Sequence, residues 1–497
     1  MCRSLSTSRI AAATALVLSM STTELAAASP AESANAAEVA AAASGPRVAI
    51  RGRYLRPSDD DRPTPPRGCP SDDPCRVITD PRDFTPPPPA AMPIGDTVLQ
   101  IQDSIFMAPG FGNTFLVTTP EGNVIIDTSI SLLAPAHEAA LRAIDDGPVK
   151  YIILTHAHAD HVGGVDLWKE PDTKILGQAH EVEFLDYERR LDGIFRNRNA
   201  SQFSELLGLP PLPFNPPDAP VVNYGGVPVA NVFVDRFHEF RLGGLTFQLV
   251  HTPGETPDHL TVWIPEYKIA FPGDNFYLSF PNLYTLRGTR PRWALEYVES
   301  LDRVLSWEPE ILAPSHGDPI FGREAVQERV GAYRDAIQYV HDETVRGINA
   351  GKDPYTLMRE VRLPPHLQTQ DTGEVYGRID WSVRGIFDGY VGWFDGNVSN
   401  MYPTAPESID PEVVAMAGGA DAIASRARAI LSDGDPQKAL HMADLALHAD
   451  PSNRPALEVR RDATALLLDA AINSNERGWL TAALRDVEAR LGGTATP

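Results

Sequence analysis

The sequence predicts an α/β sandwich followed by an all-helical C-terminal region. Short apolar and β-branched runs, such as the one at 149–154, alternate with turns that contain glycine, proline or aspartate, a pattern typical of strands. A helix is predicted at 131–145, directly before that strand, so strands and helices are mixed and an all-β barrel is disfavoured. From about Pro411 onward, apolar residues recur at helical spacing instead.

The individual elements follow from the same patterns. The predicted strands lie at 97–101, 104–108, 113–119, 123–129, 149–154, 245–253, 259–265 and 268–274. In the C-terminal part, the Asp435-Pro436 pair predicts the start of a helix, because proline is favoured in the first helical turn after a capping aspartate. A second Asp-Pro pair at 450–451 suggests a two-helix repeat.

Length and charge set the first limits on function. The chain has 497 residues, which is too long for one ordinary domain. We predict a signal peptide at 1–36, a Pro- and Ala-rich linker or extension at 37–94, a catalytic domain at 95–350 and a helical domain at 351–497. The formal net charge of −23 argues against a nucleic-acid partner, since a phosphate backbone requires a basic surface.

The N-terminus predicts export. Arg3 and Arg9 precede an apolar run at 10–20, and small residues follow, as in a cleaved signal peptide; an uncleaved anchor is the alternative. Since no later stretch is long and apolar enough to cross a bilayer, we expect a mature protein without a membrane span, either periplasmic or secreted. Cys69 and Cys75 could form a small disulfide loop in such a compartment, and a pair of reduced thiols is the alternative.

A dense set of metal-binding side chains follows the strand at 149–154. The segment Thr-His-Ala-His-Ala-Asp-His-Val-Gly-Gly contains His156, His158, Asp160 and His161 within six residues. His156 and His158 lie two residues apart, so on extended backbone their side chains point the same way. Imidazoles and carboxylates are ligands that suit Zn²⁺. A polar loop with incidental histidines is the weaker interpretation, because so many unpaired polar groups would be costly to bury.

Three further turns each place one potential ligand after a strand. Glu255 lies in a Pro-Gly turn after an apolar strand, Asp274 follows the strand-like run at 267–271, and His316 follows a short apolar run. Each residue alone would more often be an ordinary turn residue. Together with the His-rich segment they predict a metal site at one edge of the sandwich.

These motifs resemble the metallo-β-lactamase superfamily. The resemblance implies an αββα sandwich that binds two Zn²⁺ ions and uses a metal-activated water as the nucleophile. The implied ligands are His156, His158 and Glu255 for one ion, Asp160, His161 and His316 for the other, and Asp274 between them. Asp160 and Asp274 are also the predicted catalytic carboxylates.

Other residues narrow the resemblance to the alkylsulfatases of that superfamily. Many relatives carry histidine where this chain carries Glu255, whereas alkylsulfatases carry glutamate there. The segments at 282–288 and 389–397 are similar to theirs, and the helical C-terminus resembles their dimerisation domain. The resemblance implies a homodimeric hydrolase of sulfate esters, specifically alkyl sulfates, acting on a small-molecule ester.

The same resemblance assigns the substrate-binding residues. Asn282 and Arg287 are the implied ligands of the sulfate group, since an arginine can hold two anionic oxygens at once. Arg290 and Arg292 are expected to lie on a solvated loop. Of the two histidines that flank Glu255, His259 is expected to orient ligands and His251 to lie outside the ligand set.

One departure from the alkylsulfatase pattern leaves the substrate open. A His-Asn pair precedes the segment at 389–397 in alkylsulfatases, and the matching positions here are Asp380 and Trp381. Because a bare carboxylate beside a sulfate is unfavourable, we expect Asp380 to pair with Arg378 or Arg384. A hydrolase of another ester, such as a phosphate ester or a lactone, therefore stays an alternative. A non-catalytic partner-binding protein is a remote one, since no expected metal ligand is missing.

Overall fold

The computed structural model describes residues 98–203 and 230–492. The predicted signal peptide, the predicted linker and both Cys69 and Cys75 lie outside the described residues. Among the described helices, none combines the length and the apolar character that a bilayer span requires.

Seven strands form the first sheet, in the order of the chain. Strands β1 to β4 pair antiparallel, and β4 to β7 pair parallel. Their bounds are β1 Leu99–Gln102, β2 Ile105–Ala108, β3 Thr114–Val117, β4 Asn123–Ile126, β5 Val149–Ile153, β6 Lys174–Gln178 and β7 Val232–Val234. Strands β6 and β7 were not predicted from the sequence. Strand β7 has only three residues, so its apolar pattern is too short to recognise.

Six strands form the second sheet, in the order β13-β12-β11-β10-β9-β8. All neighbours pair antiparallel except β11 and β12, which are parallel. Their bounds are β8 Phe237–Leu242, β9 Leu245–His251, β10 Leu260–Ile264, β11 Ile269–Phe271, β12 Ile311–Leu312 and β13 Ile320–Phe321.

The helices fall into two groups, one around the sheets and one after them. Those of the first group are α1 Ala134–Arg142, α2 Ala159–Val162, α3 Val165–Trp168, α4 Glu181–Arg190, α5 Asp192–Phe203, α6 Ala294–Ser306 and α7 Arg323–Asn349. Those of the second group are α8 Pro354–Glu360, α9 Ile379–Val391, α10 Asp410–Met416, α11 Ala420–Ser432, α12 Pro436–Ala449, α13 Arg454–Ala470 and α14 Ser474–Gly492. Short 3₁₀ helices lie at Gly273–Asn275, Pro365–Leu367, Gln370–Thr372, Val398–Met401 and Pro406–Ile409.

The two sheets pack face to face, and helices cover their outer faces. Between the sheets, the rings of Phe115 and Phe271 meet edge to face with centroids 5.0 Å apart. Because neighbouring residues of a strand point to opposite faces, Ile125 faces the helices and packs with Trp168, while Ile126 faces the core between the sheets. This four-layer arrangement, followed by a helical region, confirms the predicted fold class.

The C-terminal helices α11 to α14 pack on one another along the chain. The predicted cap is confirmed at Asp435, whose side chain accepts a hydrogen bond from the backbone N–H of Lys438. The second Asp-Pro pair, at 450–451, does not start a helix in the same way. Asp450 accepts hydrogen bonds from Ser452 in the turn before the helix. Helix α13 is capped by Asn453 instead.

Candidate metal centre and substrate cavity

The potential ligands meet because several strands end at the same edge of the sandwich. The segment after β5 connects the two sheets, since the backbone carbonyl of Thr155 accepts a hydrogen bond from Leu260 at the start of β10, 2.6 Å away. The turns after β9, β11 and β12 close around that segment. Local sequence therefore brings four ligands in one turn, and the fold adds three from three other turns.

The first group of ligand atoms comes from His156, His158 and Asp274. The Nε2 atom of His156 lies 2.9 Å from Nδ1 of His158 and 3.8 Å from Oδ2 of Asp274. Glu255 approaches the same group, with Oε1 3.9 Å from Nδ1 of His158.

The second group consists of Asp160, His161 and His316. The Nε2 atom of His316 lies 3.3 Å from Oδ2 of Asp160 and 3.3 Å from Oδ2 of Asp274. The Nε2 atom of His161 lies 3.4 Å from the same Asp274 oxygen. Asp274 therefore stands between the two groups, as the sequence-based assignment of a shared ligand requires.

Glu255 is held on both of its oxygens by buried partners. Arg292 forms an ion pair with Oε1, and the hydroxyl of Tyr297 donates to Oε2 at 2.6 Å. Arg292 is 7% exposed, so the prediction of a solvated loop is wrong for this residue. It holds for Arg290, which pairs with Glu183 at the surface. Arg292 is buried because the buried carboxylate of Glu255 requires a positive charge nearby.

Asp127 is a buried organising residue that sequence reasoning missed. It follows β4 with a φ of 54°, and its carboxylate accepts hydrogen bonds from Thr155 and from the hydroxyl of Ser315 at 2.7 Å. Its Oδ2 also lies 2.9 Å from Nδ1 of His161. Since a carboxylate accepts, Nδ1 carries the proton and Nε2 of His161 is left to bind a metal. The only signal was an aspartate directly after a buried strand.

His259 orients a ligand, as expected. Its Nε2 accepts the backbone N–H of Asp274 at 3.1 Å. Burial lowers the pKa of His259 to about 3, so the ring is neutral and can accept that bond. Gly273 has a φ of +56°, and a Cβ there would lie 2.5 Å from the same Nε2, so only glycine fits between them. His251 lies apart and contacts the carbonyl of Pro257.

The donor atoms of this cluster fit divalent metal ions. The Nε2 of His161 and the Oδ1 of Asp274 are buried, yet neither forms a hydrogen bond within the described part of the chain. Burial lowers the pKa of His156 well below its usual value, which leaves the neutral imidazole that a metal needs. Burial also acts to lower the pKa of His316, but Asp274 and Asp160 outweigh it and raise that pKa to about 10. The site therefore attracts positive charge.

A cavity of about 300 Å³ opens beside the cluster. His158, Asp160 and His316 line this cavity, and so does the guanidinium-bearing side chain of Arg287. The remaining wall is largely apolar and aromatic: Phe111, Ile130, Phe203, Tyr277, Leu278, Val375 and Tyr376. The metal ligands thus share one space with a cation and an apolar surface.

Asn282, the other predicted substrate residue, does not line this cavity. Its backbone N–H donates to the hydroxyl of Tyr277 at 2.6 Å, and its carbonyl accepts from Arg292 at 2.9 Å. Its side-chain amide is buried and makes no hydrogen bond to any residue in 98–203 or 230–492. The structure therefore places Asn282 one layer behind the cavity wall.

Asp380 is paired, as the sequence argument requires. Its two oxygens accept from Nε and Nη2 of Arg378 at 3.0 and 2.8 Å. The alternative partner, Arg384, pairs with Asp388 instead. Asp380 does not line the cavity, so its carboxylate does not face a substrate there.

Comparisons with known proteins agree with this geometry. Residues 107–316 match the family model described as metallo-beta-lactamase superfamily, and residues 354–489 match that for alkyl sulfatase dimerisation. A linear primary-alkylsulfatase of Pseudomonas sp. is 31% identical over 76% of this chain and 74% of its own length. An alkyl/aryl-sulfatase of Saccharomyces cerevisiae is 27% identical over 74% of this chain and 60% of its own length. The inverting sec-alkylsulfatase Pisa1 of Pseudomonas sp. shares the fold, with a TM-score of 0.70 at 22% identity over 80% of this chain and 68% of its own.

The fold and the site define a metal-dependent hydrolase of the metallo-beta-lactamase superfamily. Within that superfamily, the chain belongs to the alkylsulfatase family and is a sulfuric ester hydrolase. The remote alternative of a non-catalytic partner-binding protein is thereby excluded.

Proposed function

We propose that this protein is an exported dizinc hydrolase of alkyl sulfates. The observation that carries the proposal is a buried arginine, Arg287, that lines the same apolar cavity as the metal-ligand cluster and has no carboxylate partner in the described part of the chain. An alkyl sulfate has the matching chemistry, because it joins one anionic head group to an apolar chain.

Arg287 differs from the neighbouring arginines in its pairing. Within the described part of the chain, Arg290 pairs with Glu183 and Arg292 with Glu255, whereas Arg287 forms no ion pair. It is 6% exposed, its Nε has no hydrogen-bond partner in that part of the chain, and its guanidinium lies over the ring of Phe203 at 5.9 Å. A buried cation without a counter-ion is unfavourable, so an anionic ligand is the expected complement.

The metal ligands favour zinc. Four imidazoles with three carboxylates and no thiolate suit two Zn²⁺ ions. One ion would be held by His156, His158 and Glu255 and the other by Asp160, His161 and His316, and Asp274 could serve both. Ions bound there supply Lewis acidity and activate water at neutral pH. The protein residues contribute orientation: Asp127 aligns His161, His259 aligns Asp274, and Arg287 binds the sulfate.

The paired state of Asp380 weakens the case for another ester. That carboxylate was the reason to consider a phosphate ester or a lactone, and Arg378 neutralises it away from the cavity. Sulfate monoesters carry one negative charge, which a single unpaired arginine can balance.

The proposal is tested with a substrate panel and one arginine substitution. Zinc-loaded wild-type protein is expected to hydrolyse alkyl sulfates in preference to phosphate and carboxylate esters and to contain two zinc ions per chain by elemental analysis. Arg287→Ala should lower kcat/KM for the best alkyl sulfate about 10- to 100-fold, since a charge-assisted hydrogen bond contributes about 1.5–3 kcal/mol. Zinc content should stay unchanged.

Arg290→Ala is the matched control, because it removes a surface arginine three residues away. Its activity should equal that of the wild type. Full activity of Arg287→Ala would remove the proposed sulfate clamp, and a wild type without activity on any sulfate ester would refute the substrate class.

Export and dimer formation complete the proposal. The N-terminal segment at 1–36 has the composition of a signal peptide, which supports a periplasmic or secreted location. The region similar to alkyl sulfatase dimerisation domains bears large apolar side chains that solvent reaches, including Trp393 and Tyr402. We take this surface to contact a second copy of the chain.

A further inference from the structure

The region that matches the dimerisation family also forms part of the substrate cavity. Val375, Tyr376 and Ser474 line the same cavity as the ligands His158 and Asp160. These three residues lie within 354–489, beyond the part of the chain that matches the superfamily of the metal site. The cavity is therefore built by both regions.

Two asparagines at the start of helix α14 hold the segment that carries Tyr376. The side-chain amide of Asn473 donates to the carbonyls of Glu374 and Tyr376, both at 2.9 Å. The amide of Asn475 donates to the carbonyl of Tyr376 at 2.8 Å. Both asparagines are only 1% exposed, so these bonds are not weakened by solvent.

The same segment is held from the opposite side by the catalytic domain. The backbone N–H of Tyr376 donates to the hydroxyl of Ser279 at 3.0 Å, and that hydroxyl donates to the carbonyl of Gly373 at 2.8 Å. A Cβ on Gly377 would lie 2.3 Å from the carbonyl oxygen of Phe280. The backbone of Tyr376 is thus clamped between a loop of the metal site and helix α14.

The side chain of Tyr376 brings a hydroxyl donor to the cavity. Its ring meets that of Tyr277 edge to face at 5.8 Å, and its hydroxyl makes no hydrogen bond to a residue that the structure describes. Burial raises the pKa of Tyr376 above its usual value, against the effect of Arg287, so the phenol keeps its proton. It can therefore donate to an anion in the cavity.

A second connection joins helix α14 to the sulfate clamp. The indole N–H of Trp479 donates to Oε1 of Gln202 at 3.3 Å, and the same oxygen accepts the backbone N–H of Arg287 at 3.0 Å. A Cβ on Gly478 would lie 2.2 Å from the carbonyl oxygen of Gln202, so the helix approaches closely. Both substrate-facing groups, Arg287 and Tyr376, are thus supported by the first turns of α14.

We propose that the helical domain completes the substrate site: Tyr376 donates a hydrogen bond to the anionic head group, and Asn473 and Asn475 are the positioning residues that aim it. This inference rests on the proposed function for the identity of the anion. It gives the dimerisation-type region a direct part in substrate binding.

The test is a double-mutant cycle that measures both turnover and binding. Hexyl sulfate reports turnover, and hexane-1-sulfonate, which has no cleavable ester bond, reports binding of the same kind of head group by calorimetry. Tyr376→Phe should lower kcat/KM and sulfonate affinity about 10- to 100-fold, with zinc content unchanged. Asn473→Ala should give a similar loss, and the double variant should be no worse than Tyr376→Phe, because both act through one hydroxyl. Asn475→Ala, which loses a single bond, repeats the test if Asn473→Ala does not fold.

Asn453→Ala is the matched control, because Asn453 also caps a helix of this domain, but its side chain bonds to Asp421 and Ala456 and not to the segment that carries Tyr376. It should lower the melting temperature and leave sulfonate affinity unchanged. The inference is overturned if Tyr376→Phe binds sulfonate as the wild type does, if the losses at Tyr376 and Asn473 add, or if the wild type binds no sulfonate. A wild type that binds sulfonate but hydrolyses no sulfate ester would refute the proposed function alone, since the binding cycle still decides the role of Tyr376.

Discussion

Glu255 and Arg292 form a buried ion pair that balances charge inside the ligand set. A glutamate at this position brings a negative charge that a histidine would not, and Arg292 supplies the opposite charge against it. Tyr297 satisfies the second oxygen. Breaking such a pair on one side is costly because a buried charge is left alone, whereas removing both partners can be nearly neutral.

We therefore predict a strongly non-additive pair of substitutions. In zinc-free protein, Glu255→Gln should destabilise the fold by about 3 kcal/mol, because it leaves Arg292 buried without a counter-charge. Adding Arg292→Met should recover at least half of that loss. Denaturant unfolding with a chelator present measures both free energies of unfolding.

The surface pair Arg290–Glu183 provides the comparison. Since exposed pairs contribute about 0–1 kcal/mol, Glu183→Gln should change the free energy of unfolding by less than that of Glu255→Gln. Equal and additive effects of Glu255→Gln and Arg292→Met would contradict the charge-balance explanation.

Helix α4 begins with a buried carboxylate that gives this element its own pH dependence. Oε1 of Glu181 accepts the backbone N–H of Ala230 at 2.9 Å, while Oε2 is buried and has no partner among the described residues. Burial raises the pKa of Glu181 from about 4.5 to about 7. The folded state therefore binds a proton more tightly than the unfolded chain, so stability is lost as the pH rises from about 4.5 to about 7.

Replacing this group should change the pH dependence in a defined direction. Glu181→Gln cannot ionise, so relative to the wild type it should gain stability at pH 8, by up to about 3 kcal/mol, and gain little at pH 5. Denaturant midpoints at both pH values measure the difference. The exposed Glu183, two residues along the same helix, is the control, and an identical gain at pH 5 and pH 8 would rule out titration of Glu181 as the cause.

At the scale of the whole molecule, an apolar surface in the helical region is uncovered in the single chain. Trp393, Tyr402 and Met416 are 78%, 68% and 82% exposed, far above what large apolar side chains usually show. They lie within the region similar to alkyl sulfatase dimerisation domains. Exposed apolar side chains of this kind favour a symmetric contact in which the same surface of two copies meets.

The corresponding prediction is that charge on this surface separates the dimer. Trp393→Asp combined with Tyr402→Asp should convert a dimer into a monomer at micromolar concentration, as measured by light scattering. Phe321→Asp, which changes a 56% exposed apolar residue of the catalytic domain, should stay dimeric. A wild-type monomer, or a dimer that survives the double substitution, would show that this surface is not the interface.

The sequence by itself determined the fold class and predicted seven candidate metal ligands, whose side chains the structure brings close together. His156, His158, Asp160 and His161 lie within one turn after a buried strand, so their proximity depends only on local geometry. Glu255, Asp274 and His316 could be added because each follows a strand, and strand ends gather at the edge of a sandwich. Short strands such as β7 escaped prediction, because three residues give too little periodicity.

The tertiary structure alone decided which charges are paired and which are free. Arg287 and Arg292 lie five residues apart on one basic stretch, and the sequence alone does not distinguish them. In the structure, Arg292 forms an ion pair with Glu255, whereas Arg287 forms no ion pair in the described part of the chain. Tyr376 and Asn473, nearly one hundred residues apart, likewise come together only in the fold. The physical reason is that pairing depends on distance in space and on burial, and neither is encoded by the spacing of residues along the chain when the partners lie on different elements.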